Sequence, residues 1–131
     1  MFNKGQLEGI LLSIAKPGVH VAKAAKLSIG YRVRVRVCLR GTEEFLLGIQ
    51  RSLLQHEIDS HYKDEEHSAR KKPILIISRL SEVMRLMNIL PLDLPANANW
   101  DILAKTTFII LQKEHLTQDG LDKILKMKGV L

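Results

Sequence analysis

The sequence predicts an α+β domain: one four-stranded antiparallel sheet with helices on one face, in the order α-ββ-α-ββ-α-α-α. Three observations lead there. Strand-like runs come in two consecutive pairs. Segments of helical period precede, separate and follow those pairs. In Tyr31-Arg32-Val33-Arg34-Val35-Arg36-Val37, valine and arginine alternate without a break. A strand sends successive side chains to opposite faces. Val33, Val35 and Val37 therefore share a face fit for a core, and Arg32, Arg34 and Arg36 share the other.

Residues 5–15 read as a first helix, apolar almost all round through Leu7, Ile10, Leu11, Leu12 and Ile14, which marks a buried helix. Gly5, Gly9 and Ser13 recur every four residues on one side of it. Each glycine costs about 1 kcal/mol against alanine, so the stripe suggests close approach of another helix, a second subunit being the first candidate. The plainer reading leaves Gly5 ahead of the helix and Gly9 incidental. Lys16-Pro17-Gly18 ends the helix. Residues 19–28 form a weakly patterned strand, Ile29-Gly30 a turn, and 31–39 the valine–arginine strand, closing a first hairpin.

Thr42 caps a second helix to about Gln55, with Glu43 and Glu44 in its first turn and Phe45, Leu46, Ile49, Leu53 and Leu54 on its apolar side. Residues 56–63 alternate as a strand with Ile58, Ser60 and Tyr62 on one face. Residues 64–72 are a charged turn and 73–78 the next strand. Ser81 caps a third helix through Leu90, ended by Pro91, and 91–98 form a loop. Asn99 caps a fourth helix, about 100–114, burying Trp100, Leu103, Ile109 and Ile110. Thr117 caps the last, about 118–128, with Leu121, Ile124 and Leu125 inward and Gly129 at its end.

The 131 residues suit one domain, 1–131, with 46% hydrophobic and 26% charged residues. That composition excludes a disordered chain. Net charge is +6, and its distribution says more than its sum. Between Gly9 and Thr42 there is no acid, while Lys16, Lys23, Lys26, Arg32, Arg34, Arg36 and Arg40 all fall there. Such a footprint fits a nucleic-acid surface, although an anionic membrane could also use it. A row of guanidinium groups about 7 Å apart along a strand suits phosphates. The same alternation also describes a solvated outer sheet face.

The single cysteine, Cys38, cannot form an internal disulfide and has no legible histidine partner. It reads as a spare thiol in an intracellular protein of cytoplasm, nucleoid or organelle. No apolar run reaches membrane-spanning length, and the start lacks the cleavage pattern of a signal peptide. His56, His61 and His67 lack the spacing of a metal site. Asp64, Glu65 and Glu66 read as a solvated, self-repelling tip. There is no phosphate loop, GxSxG or HExxH. Met84, Met87 and Trp100 read as core.

Three stretches resemble the single-motif LAGLIDADG homing endonucleases. Leu7-Glu8-Gly9-Ile10-Leu11-Leu12-Ser13-Ile14-Ala15 falls where that family's motif helix lies. Gly30-Tyr31-Arg32-Val33-Arg34-Val35 is similar to its second strand. Lys113-Glu114-His115-Leu116-Thr117-Gln118-Asp119-Gly120-Leu121-Asp122-Lys123-Ile124 is the most specific match. The resemblance implies a saddle-shaped sheet over double-stranded DNA and a homodimer packed through the motif helices, here Leu7, Gly9, Ile10, Leu12 and Ser13. It implies base and phosphate contacts from Arg32, Arg34 and Arg36, with Arg40, His20, Lys23, Lys26, Tyr62, Arg70, Lys71 and Lys72 as further candidates. The family's motif ends on an acid that binds the catalytic divalent metal. Here that position is Ile14, and a hydrocarbon cannot ligate magnesium, which demands oxygen ligands. The expectation is therefore a sequence-specific DNA-binding protein, regulatory or architectural, without cleavage and without a cofactor. Magnesium is required only if an acid elsewhere restores nuclease activity. RNA binding of the maturase type and a dimeric interaction module without nucleic acid are the remaining alternatives.

Overall fold

The computed structural model describes residues 2–90 and 98–130. Its elements run α1 (Lys4–Ile14), β1 (Lys16–Lys23), β2 (Tyr31–Arg40), α2 (Glu43–Leu54), β3 (His61–Lys63), β4 (Ile74–Ile77), α3 (Leu80–Ile89), α4 (Ala98–Leu111), a 3-10 turn (Glu114–Leu116) and α5 (Gln118–Met127). The four strands form one sheet in the order β1-β2-β4-β3, with β2–β4 and β4–β3 antiparallel. The element order and sheet match the sequence expectation. The expected loop with Pro91 and Pro95 lies outside the described residues.

The chain divides into two compact units, Met1–Lys16 with Arg36–Leu94 and Pro17–Val35 with Pro95–Leu131. In the first, Val37 and Leu39 of β2 and Leu75 and Ile77 of β4 are all fully buried. They pair directly, Val37 with Ile77 and Leu39 with Leu75, and α2 packs against β3 and β4, burying Leu46, Ile49 and Leu53. Thr42 caps α2 as expected, its hydroxyl accepting from the Phe45 N–H at 3.3 Å. The helix α1 begins one residue earlier than read from sequence, because Asn3 and Gln6 form a capping box. Asn3 Oδ1 accepts from Gln6 N and Gln6 Oε1 from Asn3 N. Phe2 then lies over Gly48 and edge-on to Phe45 at 5.8 Å.

Several further element boundaries differ from expectation, and Asn99, expected as the cap of the fourth helix, lies inside α4. The strand expected over 56–63 contracts to His61–Lys63. Glu57 adopts a left-handed conformation (φ 60°), and the buried Glu82 accepts from Asp59 N at 2.9 Å. These contacts hold the preceding residues as an irregular connection. Ser81 is inside α3 rather than at its cap, since Arg79 occupies the cap position without a side-chain bond. The first strand starts at Lys16, directly after the helix, and stops at Lys23. Residues 24–30 are turns, closed by Ala24 N to Gly30 O at 2.9 Å with Gly30 at φ 81°.

In the second unit, Val19, Val33 and Val35 are buried, as are Trp100 and Leu103 of α4 and Leu121 and Ile124 of α5. Thr107 is buried too and returns its hydroxyl to Leu103 O at 2.8 Å. Thr117 caps α5 as expected, accepting from Gly120 N at 3.1 Å. Among the described residues no helix is long and apolar enough to cross a membrane.

Candidate nucleic-acid interface

Register decides which side chains share the open face of the sheet. Residues directly opposite in an antiparallel pair point to the same side. Cys38 pairs with Ile76, which pairs with His61, and Arg40 pairs with Ile74, which pairs with Lys63. Arg36, Cys38, Arg40, His61 and Lys63 therefore lie on the side opposite Val37, Leu39, Leu75 and Ile77. In the second unit, Arg32 and Arg34 are exposed on either side of buried Val33. His20 is exposed on the side of β1 away from Val19.

The remaining candidates divide. Lys23 is exposed at the end of β1, and Lys26 is exposed in the connection that follows it. Lys71 and Lys72 are exposed between β3 and β4. Tyr62 is a correction: it pairs with Leu75, on the buried side, and burial pushes its phenol pKa up. The alternation that grouped Tyr62 with Ile58 already placed it on the apolar side. By the same rule its neighbours His61 and Lys63 face the open side, and both were missed. Cys38 is 4% exposed. Burial raises its thiol pKa against the opposing pull of Arg36 and Arg40, in keeping with an inert thiol.

Arg40 and Arg70 are held by Glu66. Arg40 donates Nε to Oε1 at 2.7 Å and Nη2 to Oε2 at 2.9 Å. Arg70 Nε lies 3.3 Å from Oε1 and His67 Nε2 lies 3.8 Å from Oε2. The solvated tip read from sequence is thus corrected, because Glu66 is half-buried between partners. The Arg40 hydrogen bonds hold the Glu66 carboxyl well below the usual range, at about 2. A depressed folded-state pKa contributes stability above the unfolded value, and this is lost as pH falls through the folded one. Wild-type stability should therefore drop between pH 4.5 and about 2 by an increment that Glu66→Gln removes, read from denaturation midpoints across that range.

The helix α1 presents two opposed stripes. Leu7 and Leu11 are fully buried, while Gly5, Gly9 and Ser13 are exposed. At 100° per residue, Gly9 sits diametrically across from the Leu7–Leu11 line. The space where a Gly9 side chain would stand is open, and Ser13 turns its hydroxyl back to Gly9 O. Ile10 and Leu12 are half-buried on the flanks. Leu7 is a correction, since its own unit consumes it completely. The expectation of a helix buried all round is corrected as well, for one side of α1 is bare. Ile14, the last residue of α1, is 39% exposed. Lys16 follows two residues later, and Glu8 is roughly 9 Å back along the helix axis. An aliphatic side chain beside a lysine does not fit a magnesium site. Among the described residues no group of three or more His, Cys, Asp or Glu side chains could hold a metal ion.

Elsewhere, α4 and α5 border an apolar groove of about 720 Å³ lined by Ala104, Phe108, Ile109 and Met127 among others. It contains none of the sequence-predicted site residues.

The chain has the fold of the LAGLIDADG homing endonucleases. It superposes on the homing endonuclease I-TnaI with a TM-score of 0.81 at 18% identity, covering 96% of this chain and 85% of that one. On the LAGLIDADG meganuclease I-CpaMI bound to uncleaved DNA the TM-score is 0.80 at 23% identity, covering 98% and 45%. On the LAGLIDADG homing endonuclease I-SmaMI bound to cleaved DNA it is 0.79 at 19%, covering 98% and 43%. The chain thus spans most of I-TnaI but under half of the other two. No family model matches the chain, and no curated protein matches it in sequence.

Proposed function

We propose that this chain is a double-stranded DNA-binding protein that acts as a homodimer and does not cleave its target. The observation that carries the reading is the row of Arg32, Arg34 and Arg36 on the open side of β2, with valines buried between them. Arginine is the residue best suited to both phosphate and guanine edges. His61 and Lys63 share the side of Arg36 and Arg40 in their own unit, and an acid-free stretch of sequence surrounds the arginine row. That two solved structures of this fold are described as DNA-bound is in keeping with it.

The absence of cleavage rests on Ile14. Metal-assisted phosphodiester hydrolysis needs carboxylates to hold the ion, and the end of α1 offers a hydrocarbon. A labelled pool of random duplexes, tested with and without magnesium, checks both halves. Binding that weakens steeply with salt, with no cutting in magnesium, is the expected result. Magnesium-dependent cutting would overturn the claim about Ile14. Preference for single-stranded or structured RNA over duplex would overturn DNA as the partner.

The homodimer rests on the bare stripe of α1. Gly9→Leu fills the open space and should weaken self-association about 5- to 150-fold, the equivalent of a 1–3 kcal/mol packing clash. Sedimentation across a concentration series reads this directly, while the monomer should melt no lower than wild type, because a Cβ at Gly9 meets no atom of its own chain and leucine favours a helix over glycine.

A further inference from the structure

We propose that Glu66 is a positioning residue that converts Arg40 from a phosphate contact into a base-reading arginine selective for guanine. The inference rests on the DNA-binding reading above. Arg40 lies on the side of β2 away from Val37 and Leu39, opposite the fully buried Ile74, with Lys63 on the far side of Ile74. Glu66 bridges this row: its carboxylate takes Arg40 Nε and Nη2, and its backbone carbonyl takes Lys63 Nζ at 2.9 Å.

The geometry of that grip is specific. A guanidinium has five N–H donors in a rigid fork. Glu66 occupies the side edge, Nε–H and one Nη2–H. The end edge, formed by Nη1 and the second Nη2 proton, is left with two parallel donors. That is the arrangement that matches O6 and N7 of guanine in the major groove. The Arg40 side chain is 27% exposed, so the guanidinium is restrained yet reachable. The carboxylate also cancels the Arg40 charge locally, which removes most of its value as a phosphate contact.

Glu66 can hold an arginine still because it is itself held. Its N–H donates to Lys72 O at 3.0 Å. Beyond it, His67 and Arg70 exchange backbone bonds at 3.2 and 3.0 Å. His67 Nδ1 accepts from Ala69 N at 3.2 Å. The segment between β3 and β4 is therefore a closed turn that delivers a fixed carboxylate. Arg32 and Arg34 lie on the same strand without an acid beside them in sequence, and they act as the sequence-independent contacts.

The experiment uses the full chain and a duplex selected from a random pool. Wild type, Glu66→Gln, Arg40→Lys and Arg40→Ala are compared on that duplex and on all its single-base-pair variants, at several salt concentrations. Wild type should prefer G·C at one position of each half-site by roughly 5- to 150-fold, the discrimination of one bidentate pair. Glu66→Gln and Arg40→Lys should each flatten the preference at that position and no other. A lysine keeps the charge but cannot present two parallel donors. Arg40→Ala should flatten the same position and leave the slope of log K against log salt unchanged. The proposal is overturned if Glu66→Gln and Arg40→Lys keep the wild-type preference. It is equally overturned if Arg40→Ala weakens all sequences alike and makes the slope shallower by about 0.9 per bound subunit, the signature of one phosphate contact from each. Circular dichroism melting checks that each variant is folded at the assay temperature, and agreement between two independent substitutions separates positioning from damage to the turn. Wild-type protein that binds no duplex at all would instead overturn the DNA reading itself.

Discussion

Replacing Arg32, Arg34 and Arg36 together by alanine should lower duplex affinity by roughly 10²- to 10³-fold for each bound subunit at low salt, at a little over 1 kcal/mol per lost arginine contact. The salt dependence carries the sharper signature. If all three meet phosphates, the slope of log K against log salt becomes shallower by about 2.7 for each bound subunit, at about 0.9 per neutralised phosphate. The triple variant and wild type should therefore converge in affinity as salt rises. Arg32 and Arg34 are exposed, so the fold should be untouched, each exposed substitution costing within about 0.5 kcal/mol. Arg36 is half-buried beside Cys38 and should add a small packing loss through its aliphatic stem. Fluorescence anisotropy over a salt series measures both quantities. An unchanged slope would mean that the open face of β2 does not meet the DNA backbone.

The second large effect is on stability. Gly120→Ala should destabilise the chain by about 3 kcal/mol, the upper range for a forced steric insertion. For a chain of this length that corresponds to a fall in Tm of roughly 10 °C. Helix propensity predicts the opposite sign, since alanine is favoured over glycine by about 1 kcal/mol inside a helix. Packing wins because an added Cβ would stand 1.9 Å from Glu114 O and 2.5 Å from Glu114 C. Those are backbone atoms of a fixed turn. Lys113 is left-handed at φ 59°, and Glu114 O already accepts from Thr117 N at 3.0 Å and Thr117 Oγ1 at 2.7 Å. Thermal melting decides the sign.

That turn clarifies what the sequence carried. The stretch Lys113–Ile124 gave the most specific family resemblance, and it encodes a close turn between α4 and α5 rather than any chemistry. Its residue types are required by a left-handed position, a threonine cap and a glycine against a carbonyl. The β2 alternation was legible because its two faces meet such different surroundings. The α2 cap was legible because it depends on residues three apart. The capping box of Asn3 and Gln6 was equally local, but it was hidden by starting the helix at Gly5. What could not be read locally depends on distant partners. Glu66 grips Arg40 from 26 residues away, and Glu82 shapes the connection before β3 from 23 residues away. The bare side of α1 was half legible: the small residues were visible, but not that Leu7 faces its own core.

The shortness of β3 has a further consequence. Both edges of the sheet are poor templates for adding strands from other copies. At one edge β3 offers only three residues, two of them His61 and Lys63. At the other, β1 carries Pro17, which has no N–H to donate, and is bounded by Lys16 and Lys23. Addition of strands from other copies is therefore disfavoured at β3 and at the Pro17 end of β1.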